Sequence, residues 1–170
     1  FLRWYRALPL IIVLIFGLVS FAFAFAPSLL FKSMYPLRYE DEITASAATH
    51  GVDPYLVAAV IRSESSWDPE ASSHQGARGL MQLMPETAQD EDPTVNIEYG
   101  CAYLSYLLTY FNGATDRAIA AYNAGMGNVD GWAKQDKLLH NAITFPETQA
   151  YLVRVNMAKA RYQELYPQAF

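Results

Sequence analysis

The stretch "DPYLVAAVIRSES", residues 53–65, decides how the chain is read. Asp53 followed by Pro54 is an N-cap with proline at the first helical position, so a helix begins here. Leu56, Val57, Val60 and Ile61 then recur on one helix face, and position 64 lies three and four residues beyond the last two. Glu64 therefore continues an apolar stripe. Taking its charge out of water disfavours ionisation, and the C-terminal end of the helix adds negative partial charge that pushes the same way. A carboxyl still protonated near neutrality can serve as a general acid. The position also suits an ion pair with Arg62 or Arg78, and the spacing alone leaves both readings open.

Beyond residue 38 strand-period alternation is nowhere sustained and helical spacing recurs, which predicts an all-α domain. A first helix is expected over Glu40 to Thr49, with acids in its opening turn and Gly51 just past its end. A short helix after Gly79 takes in "LMQLM" and continues through "PETAQ", with a break at Pro85. The longest helix of the domain is expected at Thr94 to Phe111, where Ile97, Cys101, Leu104 and Leu108 form the stripe. Asp116 to Asn123 gives another short helix ending at Gly125, and Pro146-Glu147-Thr148 opens a last one that reaches about Tyr166.

Composition excludes several classes of function. The 170 residues carry 12 Lys and Arg against 17 Asp and Glu, and setting aside Arg3, Arg6 and Lys32 leaves 9 against 17. Such a surface argues against a nucleic-acid partner. Cys101 is the only cysteine, so no internal disulfide can form, and its apolar setting marks it as a small buried residue rather than a nucleophile. His50, His74 and His140 show no ligand spacing, so neither a metal nor another cofactor is expected.

The N-terminal segment differs in character. Leu8 to Ala26, "LPLIIVLIFGLVSFAFAFA", carries no charge over 19 residues and follows Arg3, Trp4, Tyr5 and Arg6. This pattern predicts one transmembrane helix, with the N-terminus cytoplasmic and the remainder extracytoplasmic. A cleaved signal peptide is the rival, because Ala22-Phe23-Ala24 and Ala24-Phe25-Ala26 both fit a small-x-small cleavage site. The expected organisation is a cytoplasmic stub and anchor over residues 1–26, a short linker over 27–38, and one domain over 39–170.

Glu64-Ser65, then Gly76-Ala77-Arg78-Gly79-Leu80-Met81-Gln82, and later Ala121-Tyr122-Asn123-Ala124-Gly125 come in fixed order. Together with "NIEYGCAYLSYLL" and "PETQAYLVRV", they make the domain resemble the lytic transglycosylase family, from about Tyr39 to Tyr166. The resemblance implies a goose-type lysozyme-like fold and cleavage of the β-1,4 bond between N-acetylmuramic acid and N-acetylglucosamine in peptidoglycan strands. It also implies that the membrane expected at the N-terminal segment is a bacterial cytoplasmic one. It makes Glu64 the sole catalytic acid/base, with the muramic C6 hydroxyl attacking C1 to leave a 1,6-anhydro end, so no second protein carboxylate is required. It also implies that Ser73, Gln82, Met84, Tyr122, Asn123 and Tyr151 contact the glycan or lie beside the acid. Gln82 would both donate to and accept from sugar groups. Glu147 is either an accessory carboxylate or a first-turn helix residue favoured by the dipole. One departure is the short Gln89 to Pro93 segment, where relatives usually carry a longer one; it puts binding of distal sugars in doubt.

Two other functions compete with a membrane-anchored lytic transglycosylase. A lysozyme-type hydrolase on the same fold would need a positioned water and a second carboxylate. A non-catalytic glycan-binding module of an envelope machine would need neither, since fold does not guarantee activity.

Overall fold

A computed structural model describes residues 7–84, 92–135 and 137–170, the side chains of 8 and 23–28 excepted. The chain divides into two compact units, Phe1–Pro36 and Leu37–Phe170. The first contains one helix, α1 (Leu8–Met34), which continues through residues 27–34, a stretch read from sequence as part of the linker.

Among the described residues no helix is long and apolar enough to cross a membrane. This corrects the expected transmembrane helix over Leu8 to Ala26, and with it the membrane partner, the single-pass localisation and the anchored form of the function. A crossing needs about 20 consecutive apolar residues. The flank carrying Arg3 and Arg6, on which the expected orientation rests, lies outside the described residues.

The second unit is all helical, with α2 (Glu40–His50), α3 (Pro54–Ser65), α4 (Pro93–Tyr110), α5 (Thr115–Ala124), α6 (Met126–Ala133), α7 (Leu139–Ala142) and α8 (Pro146–Leu165). Asp53 caps α3 as expected, its carboxylate accepting from the Tyr55 N–H at 2.9 Å. Six consecutive residues of α3, Leu56 to Ile61, are buried, so this helix is the centre of the core rather than a half-exposed face. Its main neighbour is α8, while α2 packs on α4 and α5 bridges α4 and α8. Each large aliphatic side chain so buried contributes about 1.5–3 kcal/mol. Immediately after α3, Ser66 and Trp67 both adopt left-handed backbone (φ 53° and 70°), which stops the helix at Ser65. Trp67 is fully buried and its indole N–H donates to the Tyr162 hydroxyl of α8 at 2.8 Å. The end of α3 is thus held in place from both sides.

Two sequence expectations about this unit are corrected here. The longest helix of the unit is α8, with 20 residues, and not α4, with 18. The segment after Gly79 is not helical: left-handed backbone at Gly79 (φ 76°) and Gln82 (φ 49°) breaks it, and Arg78 and Leu83 instead exchange backbone bonds at 2.9 and 3.0 Å. The buried Asn96 side chain replaces helical bonding, accepting from the Met81 N–H at 2.8 Å and donating to the Arg78 carbonyl at 3.1 Å. A Cβ at Gly79 would come within 2.5 Å of Asn96 Nδ2, so this approach requires glycine. The expected continuation through "PETAQ" falls on residues 85–89, outside the described ones. Finally, α6 and α7 were not read from the sequence. Two glycines in "MGNVDGWA" obscure α6, which is held by its buried Val129 and Trp132.

Candidate active site

An open cleft of about 560 Å³ lies where the end of α3, the 73–84 turn segment, the end of α5 and the start of α8 meet. Glu64 lines it, as do Ser73, Gln82, Met84, Tyr122, Asn123 and Glu147. Seven of the eight residues singled out from sequence are thus brought together. Tyr151 is not in the wall: it is 1 % exposed and sits behind the acid, its hydroxyl donating to Glu64 Oε1 at 2.6 Å.

Glu64 is mostly buried, and its pKa is raised from 4.5 to about 7. Burial is the dominant cause, because the charged form loses water. The Tyr151 hydroxyl and the Arg154 guanidinium act against this and the Glu147 carboxylate reinforces it. Tyr151 and Tyr122 are both held well above the ordinary tyrosine value, first by burial and then by the charge of Glu64. Both phenols therefore remain neutral donors at any pH where the domain works. With Tyr151 donating to Oε1, the carboxyl proton belongs on Oε2.

The remaining side chains are fixed by their neighbours. Ser73 Oγ accepts from the Ala77 N–H at 3.0 Å, so it caps its own turn while lining the cleft. Gln82 Nε2 donates to the carbonyls of Ala71 (2.9 Å) and Gly79 (3.0 Å). Both amide hydrogens are therefore committed to backbone carbonyls, which leaves Oε1 as the atom of this side chain able to accept a further bond. Tyr122 donates to the Met81 carbonyl at 2.8 Å, and Asn123 Oδ1 accepts from the Thr148 hydroxyl at 2.7 Å. The two methionines divide as core and cleft: Met81 is fully buried, Met84 is 41 % exposed. Asp68 and Glu70 are exposed, whereas Glu86 lies outside the described residues. Cys101 is fully buried and its thiol is pushed up to about 12, mainly by burial, as suits packing rather than chemistry. Among the described residues no cluster of His, Cys, Asp and Glu could hold a metal ion.

Sequence reasoning missed three contributors. Phe145, exposed at the cleft edge, stacks edge-on against Trp132 with ring centroids 5.3 Å apart. Thr148 fixes Asn123, and Arg154 lies over the Tyr151 ring, 5.7 Å from its centroid. Only Arg154 left a signal, three residues after Tyr151 on the same helix face.

Residues 41–144 match the family model described as Transglycosylase SLT domain. The soluble lytic murein transglycosylase of Salmonella typhimurium is 33 % identical over 159 residues, covering 81 % of this chain and 25 % of that protein. Among solved structures, the lytic transglycosylase Slt inactive mutant from Pseudomonas aeruginosa superposes with a TM-score of 0.73 at 32 % identity. The soluble lytic transglycosylase of Escherichia coli gives 0.75 at 30 %. Each alignment covers 79 % of this chain and 25 % of the other, so the chain spans about a quarter of the length of these relatives. On the family model, the identities and the shared helical frame, this chain belongs to the lytic transglycosylase family of the SLT type, with its goose-type lysozyme-like fold.

Proposed function

We propose that the domain is a peptidoglycan lytic transglycosylase that cleaves the bond between N-acetylmuramic acid and N-acetylglucosamine and leaves a 1,6-anhydro end. The observation that supports this most is the pKa of Glu64, raised to about 7 in an open cleft that a glycan strand can enter. With its pKa near neutrality the carboxyl is available in both protonated and ionised forms, the condition for one group to act first as acid and then as base.

In the first step Glu64 gives its Oε2 proton to the bridging oxygen as the bond from muramic C1 breaks. The carboxylate so formed takes the proton of the muramic C6 hydroxyl, whose oxygen bonds to C1 and closes the anhydro ring. The proton returns to Glu64, no water is consumed, and the leaving strand departs with a free hydroxyl. Tyr151 is a positioning residue in this scheme: its hydrogen bond strengthens toward the carboxylate and stabilises the ionised intermediate state. Gln82 Oε1, the Asn123 side chain and the face of Met84 hold the sugars on either side of the cleaved bond, while Ser73 shapes the turn beside Glu64. Glu147 acts at a distance, favouring the protonated acid by its charge.

The product decides between this and hydrolysis, for which Glu147 in the same cleft would have to activate a water. Digestion of purified sacculi followed by mass analysis should yield muropeptides one water lighter than hydrolytic products. Hydrolytic masses would instead establish the lysozyme-type reaction. Unchanged muropeptide release by Glu64→Gln would reduce the domain to a glycan-binding module.

A further inference from the structure

Tyr103, Tyr106 and Tyr110 recur at three- and four-residue spacing along α4 and so share one helix face. The opposite face is core, with Ile97, Cys101, Leu104 and Leu107 fully buried. Tyr106 and Tyr110 are 52 % and 46 % exposed, and Tyr99, one turn before Tyr103, is 48 % exposed, an unusual placement for three large rings on one helix.

The rings form a connected series. Tyr103 and Tyr106 are stacked, with centroids 6.5 Å apart and planes inclined by 18°, and Tyr106 and Tyr110 follow at 6.4 Å. At one end Tyr103 lies 5.3 Å from the ring of Tyr122, which lines the cleft. At the other end the Tyr110 hydroxyl donates to Asp130 of α6 at 2.7 Å, and its ring packs edge-on with Phe111 at 4.9 Å. These contacts hold the exposed rings in place before any ligand arrives, which lowers the entropy cost of binding.

Charge narrows the ligand. Helix α4 contains no Lys or Arg, so the strip offers ring faces and hydroxyls but no cation for a phosphate or an acidic peptide. A sugar ring suits it: its C–H face packs on an aromatic face while its hydroxyls meet the phenol oxygens. Building on the function proposed above, we propose that the α4 tyrosine strip is an accessory binding site for the glycan strand, taking sugar rings of the polymer beyond Tyr122. From Tyr103 to Tyr110 it adds about 10 Å of path to the cleft. The strip therefore makes the enzyme prefer long strands to short fragments.

The test uses the full chain with Glu64→Gln, so that bound glycan is not consumed. Affinity is measured by co-sedimentation for long strands from sacculi and by titration for a fragment short enough to fit the cleft. Adding Tyr106→Ala and Tyr110→Ala should weaken long-strand binding about tenfold, or about 1.4 kcal/mol. Binding of the short fragment should change far less. Tyr106→Phe with Tyr110→Phe keeps the rings and should keep most of the long-strand affinity, and thermal midpoints of all variants check the fold. Unchanged long-strand affinity in the alanine variant would overturn the proposal, as would equal losses on both ligands or a loss in the phenylalanine variant as large as with alanine. A change in oligomeric state with glycan affinity intact would also overturn it, by making the strip a protein interface. The activity proposed above fails separately: in that case the wild type and the Glu64→Gln variant would release product alike, whatever the strip does.

Discussion

Glu64 and Glu98 are the same side chain at two helix seams, and the seams drive them in opposite directions. Glu64 ends α3 where it packs on α8, and burial outweighs the Tyr151 donor, so its pKa rises to about 7. Glu98 lies on α4 facing α2, with 46 % of its side chain exposed. It receives Ser46 Oγ at 2.6 Å and His50 Nε2 at 2.7 Å, and these two bonds hold it below the ordinary glutamate value against a smaller cost of burial. Donors stabilise a carboxylate and lost water destabilises it; which one dominates turns the same residue into an acid or into a fixed anion. The partly buried seat at the end of α3 makes Glu64 an acid, because burial strips water from the carboxylate and the Tyr151 donor does not make up for it.

The largest effect that separates the two is on turnover. Glu64→Gln should lower release of anhydro-muropeptides by about a thousandfold, the contribution typical of a positioned acid/base. Glu98→Gln should stay within about twofold, since its partners lie on α2 and outside the cleft. Comparable losses from both would break the comparison, because Glu98 would then support the site through the fold.

Stability should separate them by sign. From pH 4.5 to about 7 the folded chain keeps a proton on Glu64 that the unfolded chain has released, so stability falls as pH rises through this window and then levels. Glu64→Gln removes that fall. Allowing for its partial exposure, it should gain about 2 kcal/mol at pH 8 and almost nothing at pH 4, read by denaturant titration at the two pH values. No gain at pH 8 would mean that the carboxyl titrates as in water.

Tyr151→Phe sharpens the account of Glu64 by removing the hydroxyl that donates to it. That bond lowers the pKa, so its loss should move the alkaline limb of the activity profile, expected near 7, upward by about one pH unit. Turnover at the optimum should fall about tenfold, because the ionised state loses its stabilising bond. A lower turnover with an unmoved limb would assign Tyr151 a packing role alone.

How much of this was legible follows from distance along the chain. The inward setting of Glu64 is local: it depends on positions three and four residues back and on the Asp53-Pro54 start, both of which the helix uses as the pattern predicts. Tyr151 is 87 residues away, and only a motif could associate it with Glu64. Its burial behind the acid was hidden, because a tyrosine in a family motif does not reveal which layer it occupies. The segment after Gly79 was misread as helix because "LMQLM" is apolar at short range, while the left-handed turns and the Asn96 bonds that shape it come from 15 and 18 residues away. Glu98 drew no attention at all. Its only signal was on another helix, where Ser46 and His50 stand four apart on one face of α2.

That pair also carries the smallest prediction. Ser46→Ala removes the donor that does most to lower Glu98, so the folded-state pKa should rise back toward the ordinary value. A depressed carboxylate contributes stability above its unfolded pKa and loses it as pH falls through the lower folded value, so the contribution is present at pH 7 and absent in acid. With nearly half the side chain in water, the loss at pH 7 should be under about 1 kcal/mol, and wild type and variant should converge at low pH. Water can replace the serine hydroxyl at Glu98, whereas nothing replaces Tyr151 at Glu64. A loss above about 2 kcal/mol would mean that Glu98 depends on its donors as an enclosed charge does, and the contrast between the two seams would then rest on donor count and not on water.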